Sequence, residues 1–455
     1  MSEATAIQLK FTGSLTRDDS KTYHPFTFEV PEGTTNVHFD FEYAPHYATG
    51  RIHANQLNVS IDSPTGLRGQ WNFMQRCDIN GVRSSPGMRT APIEPGTWTA
   101  YVESHRILGL DTVNYTLTVT LTSDPLTLTP SPYQEDVRKV ASDQPGWYRG
   151  DLHAHTIHSD GRWDIPEFTR FQRARGLDFV SLSDHNTITG LNQHRSQTED
   201  GFLALGGMEL STVNGHMLAL GGNDWYEWRL NLMDIDAIMQ QVIDRGELLI
   251  IAHPMSPDEP FCSGCMWLYE ETRPGVALGV EVWNGFWSEF NDDGLKQYYV
   301  WLNEGHRLVA TSGTDIHEPF PLDLPVRSGF NNVYADQLSE AAILAAVRKG
   351  HNYVSAGPEL RFNAETTSGK TAMMGDLLPA EAVTLTASWK GAHDRDTLRL
   401  IVDGQVKAWT PVAEAGEQSW SFEAGQLKWA TVELRDTFTG LWAVTNPIFF
   451  GETWS

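Results

Sequence analysis

The chain has little cysteine, no long apolar run and no excess of positive charge. Its three cysteines, Cys77, Cys262 and Cys265, are too few and too odd in number for a disulfide framework across 455 residues. Such sparse usage fits a reducing compartment, where Cys262 and Cys265 read as two packed thiols. A lone Cys-x-x-Cys also lacks the second pair that a structural zinc needs. The longest apolar stretches, such as Leu248 to Ala252, are strand-sized and far short of the ~20 residues that span a bilayer. The opening MSEATAIQLKFTG has no basic segment followed by an apolar one, so a cytoplasmic location is expected. Lys and Arg total 33 against 58 Asp and Glu, a net charge of −25. That balance speaks against nucleic-acid binding and against a polybasic membrane anchor. A small anionic substrate stays open, because a bound divalent cation reverses the sign of the local field.

What is present reads as three zones, in line with a length prior of about three domains. Residues 1–123 carry short alternating segments, among them YHPFTFEV, VHFDFEY, LNVSIDS, TWTAYVE and YTLTVTLT. Period-two alternation broken by Gly, Pro and Asp predicts an antiparallel β-sandwich. Residues 124–146 are rich in Pro, Ser and charge and read as a linker. Residues 147–357 alternate buried strands (DFVSLS, ELLIIA, VALGVEV, RLVAT) with capped helices near 166–175, 234–245 and 338–349. Repeated strand-then-helix units predict an α/β domain built on a parallel sheet or barrel. Residues 358–455 return to strands, with a hairpin turning at Asp403-Gly404, and form a smaller C-terminal β domain.

Nine of the 16 histidines fall between His153 and His317, several of them where a strand gives way to a loop. In parallel α/β folds that edge is where sites are built. In DLHAHTIHSDG, alternation along an extended strand points His153 and His155 the same way, so both can reach one metal ion. Asp160 follows in a Ser-Asp-Gly turn. SLSDHN places Asp184 and His185 after a strand, with His185 as candidate ligand and Asp184 as its orienting partner or a ligand. GGMEL offers Glu209, whose two oxygens can bridge two cations. His216 in GHMLALGG, His253 in IIAHP, and Asp315 with His317 in SGTDIH complete the set. Each motif has a plainer reading: an Asx turn, a helix cap or a hydrogen-bonded core histidine. Their joint occurrence on successive strand ends does not, because so many buried ionisable groups need cations to satisfy them.

DLHAHTIHSDG, SLSDHN, GGMEL, IIAHP and SGTDIH resemble the motifs of the polymerase and histidinol phosphatase (PHP) superfamily, over roughly residues 148–358. The opening motif and the AHP and SGTD steps are most similar to the CehA/McbA-type subgroup. The resemblance implies a distorted seven-stranded β/α barrel with two or three metal ions at the C-terminal strand ends. It implies a first metal site of His153, His155, Glu209 and Asp315. Asp160, His185 and His317 would form a second, and His253, with Glu209 and His216, would complete a shared or further one. His158 is an extra histidine that would replace or join Asp160, and Asn186 stands where many relatives are acidic.

Such a centre activates water for hydrolysis of a phosphate ester or of a carbamate or amide. His317, His216 and Asp184 are candidates for protonating the leaving group. Arg162, Arg273 and Arg327 are candidates for holding a phosphate, each with a surface ion pair as its plainer role. Aromatic residues Trp267, Tyr269, Trp283, Phe286 and Trp287 keep the carbamate reading open, and residues 255–274 read as a lid. A third reading makes the protein a binding module with a degenerate barrel. Mixed imidazole and carboxylate donors suit Zn, Mn or Fe. The histidines of the first zone, His24, His38, His46, His53 and His105, read as surface or packing residues.

Overall fold

The computed structural model describes residues 6–47, 54–71, 75–109, 112–269, 273–322, 327–451 and 454; His53 lies outside them. The alternating segments of the first zone pair as expected. Ile7–Leu15, Val113–Thr122, Asn36–Ala44 and Arg76–Asn80 form one four-stranded antiparallel sheet. Thr22–Val30, Gly96–Arg106, Gln56–Ser63 and Gly66–Trp71 form the other. Their inward residues, including Phe28, Phe39, Val59, Trp98 and Leu117, share one buried core, which makes the pair a sandwich.

The central zone places seven strands side by side in chain order: Gly146–Asp151, Phe179–Leu182, Leu203–Thr212, Gly215–Leu220, Leu248–Ile251, Gly279–Asn284 and Val309–Gly313. All neighbours are parallel except the fourth strand, which runs antiparallel to both its partners. A tight Val213-Asn214 turn sends it straight back, so its first residues lie at the rim where the other strands end. Helices follow the expected caps. Asp164 accepts from Glu167 N at 2.8 Å, Asp234 from Ala237 N at 2.9 Å and Ser339 from Ala342 N at 3.3 Å. Gly350 ends the last helix at φ 75°, a left-handed conformation that suits glycine.

Two expectations about this zone are corrected. Among the described residues no continuous ladder closes the seven strands into a barrel. The edge of Val309–Gly313 is met by side-chain amides instead. Asn331 accepts from Ser312 N at 3.1 Å and donates to Ser312 O at 2.6 Å, while Asn446 accepts from Ala310 N at 2.7 Å. Only at the rim do the first and last strands meet, through the isolated parallel bridge Ala154–Ile316, with His155 N donating to Ile316 O at 3.0 Å. Nor does a helix follow every strand. The longest described helix, Glu289–Asn303, lies where no strong helix signal is found, because Asn291, Asp292, Asp293 and Gly294 are weak helix formers.

Gly146–Asp151 uses its other edge to pair with Phe330–Ala335, and the ladder runs on through Asn352–Ser355 to Leu441–Thr445, Trp429–Arg435 and the Thr397–Val402/Gln405–Pro411 hairpin. The last zone therefore extends the central sheet. A separate four-stranded antiparallel sheet closes over its core.

His194 sits fully buried between the Leu191–Ser196 helix and the sheet, with Nε2 3.2 Å from Val180 O. Burial pushes its pKa down from 6.5 to about 4. A neutral-buried base is protonated first in the unfolded chain, so stability falls as pH drops from about 6.5 towards 4. His194→Gln should remove about 2 kcal/mol of the stability difference between pH 7 and pH 5. Urea denaturation of both proteins at the two pH values measures it; equal slopes would contradict the assignment.

Candidate metal centre

The rim is assembled by buried carboxylates that tie the motifs together. Asp151 accepts from His153 N at 3.2 Å, Thr314 N at 3.0 Å and Thr314 Oγ1 at 2.5 Å, which locks the first motif to the last. Asp184 accepts from Thr156 N, Thr156 Oγ1 and Ser159 Oγ at 2.6–2.7 Å, which shapes the turn carrying Asp160. Both rim residues His253 (φ 27°) and Asp315 (φ 51°) have left-handed backbones, a strained state for side chains of this size. Gly313 leaves no room for a Cβ beside His153 and Glu281.

Glu209, fully buried in Leu203–Thr212, faces five imidazoles. Its Oε2 lies 2.8 Å from His185 Nδ1, 3.2 Å from His153 Nε2 and 3.4 Å from His155 Nε2. Its Oε1 lies 3.0 Å from His216 Nδ1 and 3.2 Å from His253 Nε2. Asp315 Oδ1 comes 2.8 Å from His155 Nε2 and 3.4 Å from His153 Nε2. On the far side of His155, Asp160 lies 3.2 Å from His317 Nε2 and 3.6 Å from His185 Nε2.

Four of these rings have their second nitrogen committed to an acceptor. His153 Nδ1 faces Glu281 Oε1 at 3.2 Å, His253 Nδ1 faces Cys265 O at 3.0 Å, His216 Nε2 faces Ser263 O at 3.2 Å and His317 Nδ1 faces Asp315 O at 2.8 Å. Carbonyls and carboxylates only accept, so those nitrogens carry the protons. Burial alone would lower these rings, but the carboxylates facing them raise His153 and His253 above the usual imidazole range, His185 to about 9 and His317 to about 10, and a bound cation would displace those protons and take the lone pairs. Protonating every ring instead would crowd imidazoliums whose centroids lie 4.3 Å (His155–His317), 4.4 Å (His155–His185) and 5.3 Å (His216–His253) apart. Burial and then His317 and His185 push His155 down to about 3, so that ring stays neutral. Burial alone would raise Glu209, but His185, His153 and His216 hold it well below the usual carboxylate range.

The donor set fits divalent cations. Glu209 Oε2 and Asp315 Oδ1 are buried with no hydrogen-bond partner despite their close nitrogens, as expected where an ion belongs between them. Two clusters bring one donor atom per residue within 4.8 Å of one another: His153, His155, Glu209 and Asp315, and His155, Asp160, His185 and His317. His216 and His253 group with Cys265, and His185 and His216 group with Glu209. The rim opens on a cavity of about 250 Å³.

Other sequence candidates are placed elsewhere. Asp184 is not positioned to protonate a substrate, since both its oxygens are taken and it is absent from the cavity wall. His158 joins neither cluster; its Nδ1 lies 2.8 Å from Thr189 Oγ1. Arg162, Arg273 and Arg327 do not line the cavity. Arg162 is exposed and pairs with Glu318 at 2.7 Å, Arg273 is exposed, and Arg327 binds Asp436 at 2.7 Å over the Trp442 ring. Cys262 and Cys265 form a disulfide rather than two thiols, and their loop lines the cavity with Phe261 and Ser263. Of the aromatic residues expected there, none does.

Two contributions escape the motif reading. Glu281, fully buried, orients His153 and accepts from His253 N at 3.0 Å and Asn284 Nδ2 at 2.9 Å. The N-terminal sandwich supplies Gln56, Asn58, Gln70, His105 and Arg106 to the cavity wall, so His105 is more than a packing residue. Asn186 makes the junction, donating to Gln70 Oε1 at 3.0 Å and to Ser211 O at 3.1 Å.

No family model matches the chain. The protein is 25% identical over 150 residues to Uncharacterized protein MJ1587 of Methanocaldococcus jannaschii, covering 30% of this chain and 82% of that one. Its structural neighbours include a two-domain protein from Bacteroides vulgatus containing a predicted PHP-like metal-dependent phosphoesterase, at 17% identity and a TM-score of 0.37, covering 69% of this chain and 99% of that one. An amidohydrolase from Chromobacterium violaceum matches at 17% identity and a TM-score of 0.29, covering 37% of this chain and 88% of that one. No described helix is long and apolar enough to cross a membrane.

Because Glu281 fixes the tautomer of His153, Glu281→Gln should weaken metal binding by about 10–100-fold. Titration of metal-free protein with Mn²⁺ or Zn²⁺ measures this, and an unchanged affinity would show that His153 needs no such partner.

Proposed function

We propose that the protein is a metal-dependent hydrolase of the PHP superfamily, CehA/McbA-type subgroup, acting on a small anionic phosphate ester. The observation that carries this reading is the ring of five imidazoles around Glu209, with Asp315 and Asp160 on either side and a cavity opening on the rim. His153, His155, Glu209 and Asp315 would hold one ion, and Asp160, His185 and His317, with His155, a second. His216 and His253 leave donors for a third. Two divalent ions would balance the four carboxylates Asp160, Glu209, Glu281 and Asp315. Bound there, such ions supply Lewis acidity that lowers the pKa of a water and neutralises charge on phosphoryl oxygens.

The chain's own residues do the rest. Glu209 and Glu281 keep five rings and their lone pairs in place. Asp184 and Asp151 hold the loops that carry them. His317 has a third of its side chain exposed at the cavity wall, but as a ligand through Nε2 with its Nδ1 proton held by Asp315 O it has, like the deeply buried His216, no proton free for a leaving oxygen. The phosphate reading is preferred to carbamate hydrolysis because none of the aromatic residues invoked for a carbamate pocket lines the cavity.

Elemental analysis of the purified protein, with a screen of phosphomonoesters, phosphodiesters and aryl carbamates, tests the reading. Divalent metal and phosphoester hydrolysis should both be present, and Glu209→Gln and Asp315→Asn should lose both together. Activity confined to carbamates would reverse the preference, and variants that keep metal and activity would refute the ligand assignment.

A further inference from the structure

Arg106 is only 6% exposed and lines the cavity from the sandwich side. Its Nε donates to Ala54 O at 3.0 Å, but its Nη1 is buried with no hydrogen-bond partner. Among the described residues it forms no ion pair. Among other deeply buried arginines, Arg195 closes on Glu340 at 2.9 Å, Arg229 on Glu227 at 2.8 Å, and Arg435 on Glu433 and on Asp292 at 2.8 Å; Arg68 also leaves Nε unpartnered, but its Nη atoms donate to Pro92 O and Ala91 O and it lies 3.8 Å from Glu94. Of the carboxylates that act on Arg106, Glu259 does so most and Asp258 next, and neither comes within ion-pair distance of it. Asp258 is already engaged, with Lys21 at 3.1 Å and with Gly264 N at 2.7 Å. On the same cavity wall, Asn58 is 3% exposed and its Oδ1 is likewise buried without a donor.

An unpartnered guanidinium nitrogen and an unpartnered amide oxygen, both buried in residues that line one cavity wall, are costly unless a small side-chain movement brings them partners from the cavity. We propose that Arg106 and Asn58 form a recognition subsite, contributed by the N-terminal sandwich, for the non-reacting end of the substrate. That end carries a second anionic group, which takes the fork of Arg106, and a hydroxyl or amine, which donates to Asn58 Oδ1. The cavity of about 250 Å³ has room for a small molecule between the metal donors and the sandwich wall. The subsite rests on the phosphoesterase reading for what occupies the metal end, but its own chemistry belongs to the sandwich wall. It gives that domain a purpose: a metal centre hydrolyses many esters, and the wall selects among them.

Calorimetric titration of the metal-loaded protein with three probes tests this. Glycerol 3-phosphate has one anionic group; 3-phosphoglycerate adds a carboxylate and 2,3-bisphosphoglycerate adds a carboxylate and a second phosphate. At least one of the latter two should bind about tenfold or more tightly than glycerol 3-phosphate, and which one shows whether carboxylate alone suffices. Arg106→Gln should erase that ratio, Arg106→Lys should keep part of it, and Asn58→Leu should weaken glycerol 3-phosphate and 3-phosphoglycerate, which carry a free hydroxyl, while leaving 2,3-bisphosphoglycerate, which has none, unchanged. Thermal midpoints near the wild-type value verify folding, and the Lys and Leu variants keep the test open if the Gln variant does not fold. Equal affinities in the wild type, or a ratio unchanged in both Arg106 variants, overturns the subsite. Glu209→Gln separates the two ideas: if it leaves binding of every probe intact, the metal reading fails, while an Arg106-dependent ratio still supports the subsite.

Discussion

A single buried carboxylate organises this protein. Glu209 lies in the middle of a strand whose every residue is buried, and a charge there is affordable only if it is compensated on all sides. The compensation comes from five imidazoles drawn from four separate stretches of chain. That requirement explains the reversed direction of the fourth strand. An antiparallel fourth strand returns immediately from Leu203–Thr212 and delivers His216 to the same carboxylate, which a helical crossover would carry away. It also explains the strained backbones of His253 and Asp315, each held by buried hydrogen bonds: His253 N to Glu281 Oε2 and Asp315 N to His153 O.

The same logic spreads outward to the N-terminal sandwich. Its buried polar chain begins at Asn186, passes through Gln70 to Glu103, and from there reaches Ser60 and His105. Arg229 of the central zone meets this chain at Ser60 and pairs with Asp62 at 3.1 Å. Ser263, beside the disulfide, donates to His105 O at 2.8 Å. A junction that is polar, buried and paired fixes orientation more than it adds stability. It sets the cavity wall at a defined place over the metal donors, and makes the sandwich part of the site.

Much of this was legible in the residues. The histidine and carboxylate motifs stood out because strand alternation and loop position give them one direction, and the helix caps Asp164, Asp234 and Ser339 are local signals. What could not be read was non-local. Nothing near Glu281 marks it, since its role depends on a bulged strand passing beneath His153. Asp184 follows a strand just as a ligand would, yet its hydrogen bonds to Thr156 and Ser159 turn it into a brace. Arg106 sits at the end of an ordinary alternating strand, and only domain packing brings it to the cavity. Exposure, likewise a property of the assembled fold, decided against Arg162 and Arg273. Cys262 and Cys265 were read from compartment statistics, which say nothing about a loop that brings two thiols together.

The central claim is that lone pairs facing one another around Glu209 are bridged by cations. Anomalous diffraction at the manganese edge, from crystals grown with Mn²⁺, addresses it directly. The account predicts at least two peaks, each at roughly 2.0–2.3 Å from donor atoms of the Glu209–Asp315 and Asp160–His317 clusters. A map with no peak among those side chains, at saturating Mn²⁺, would contradict it.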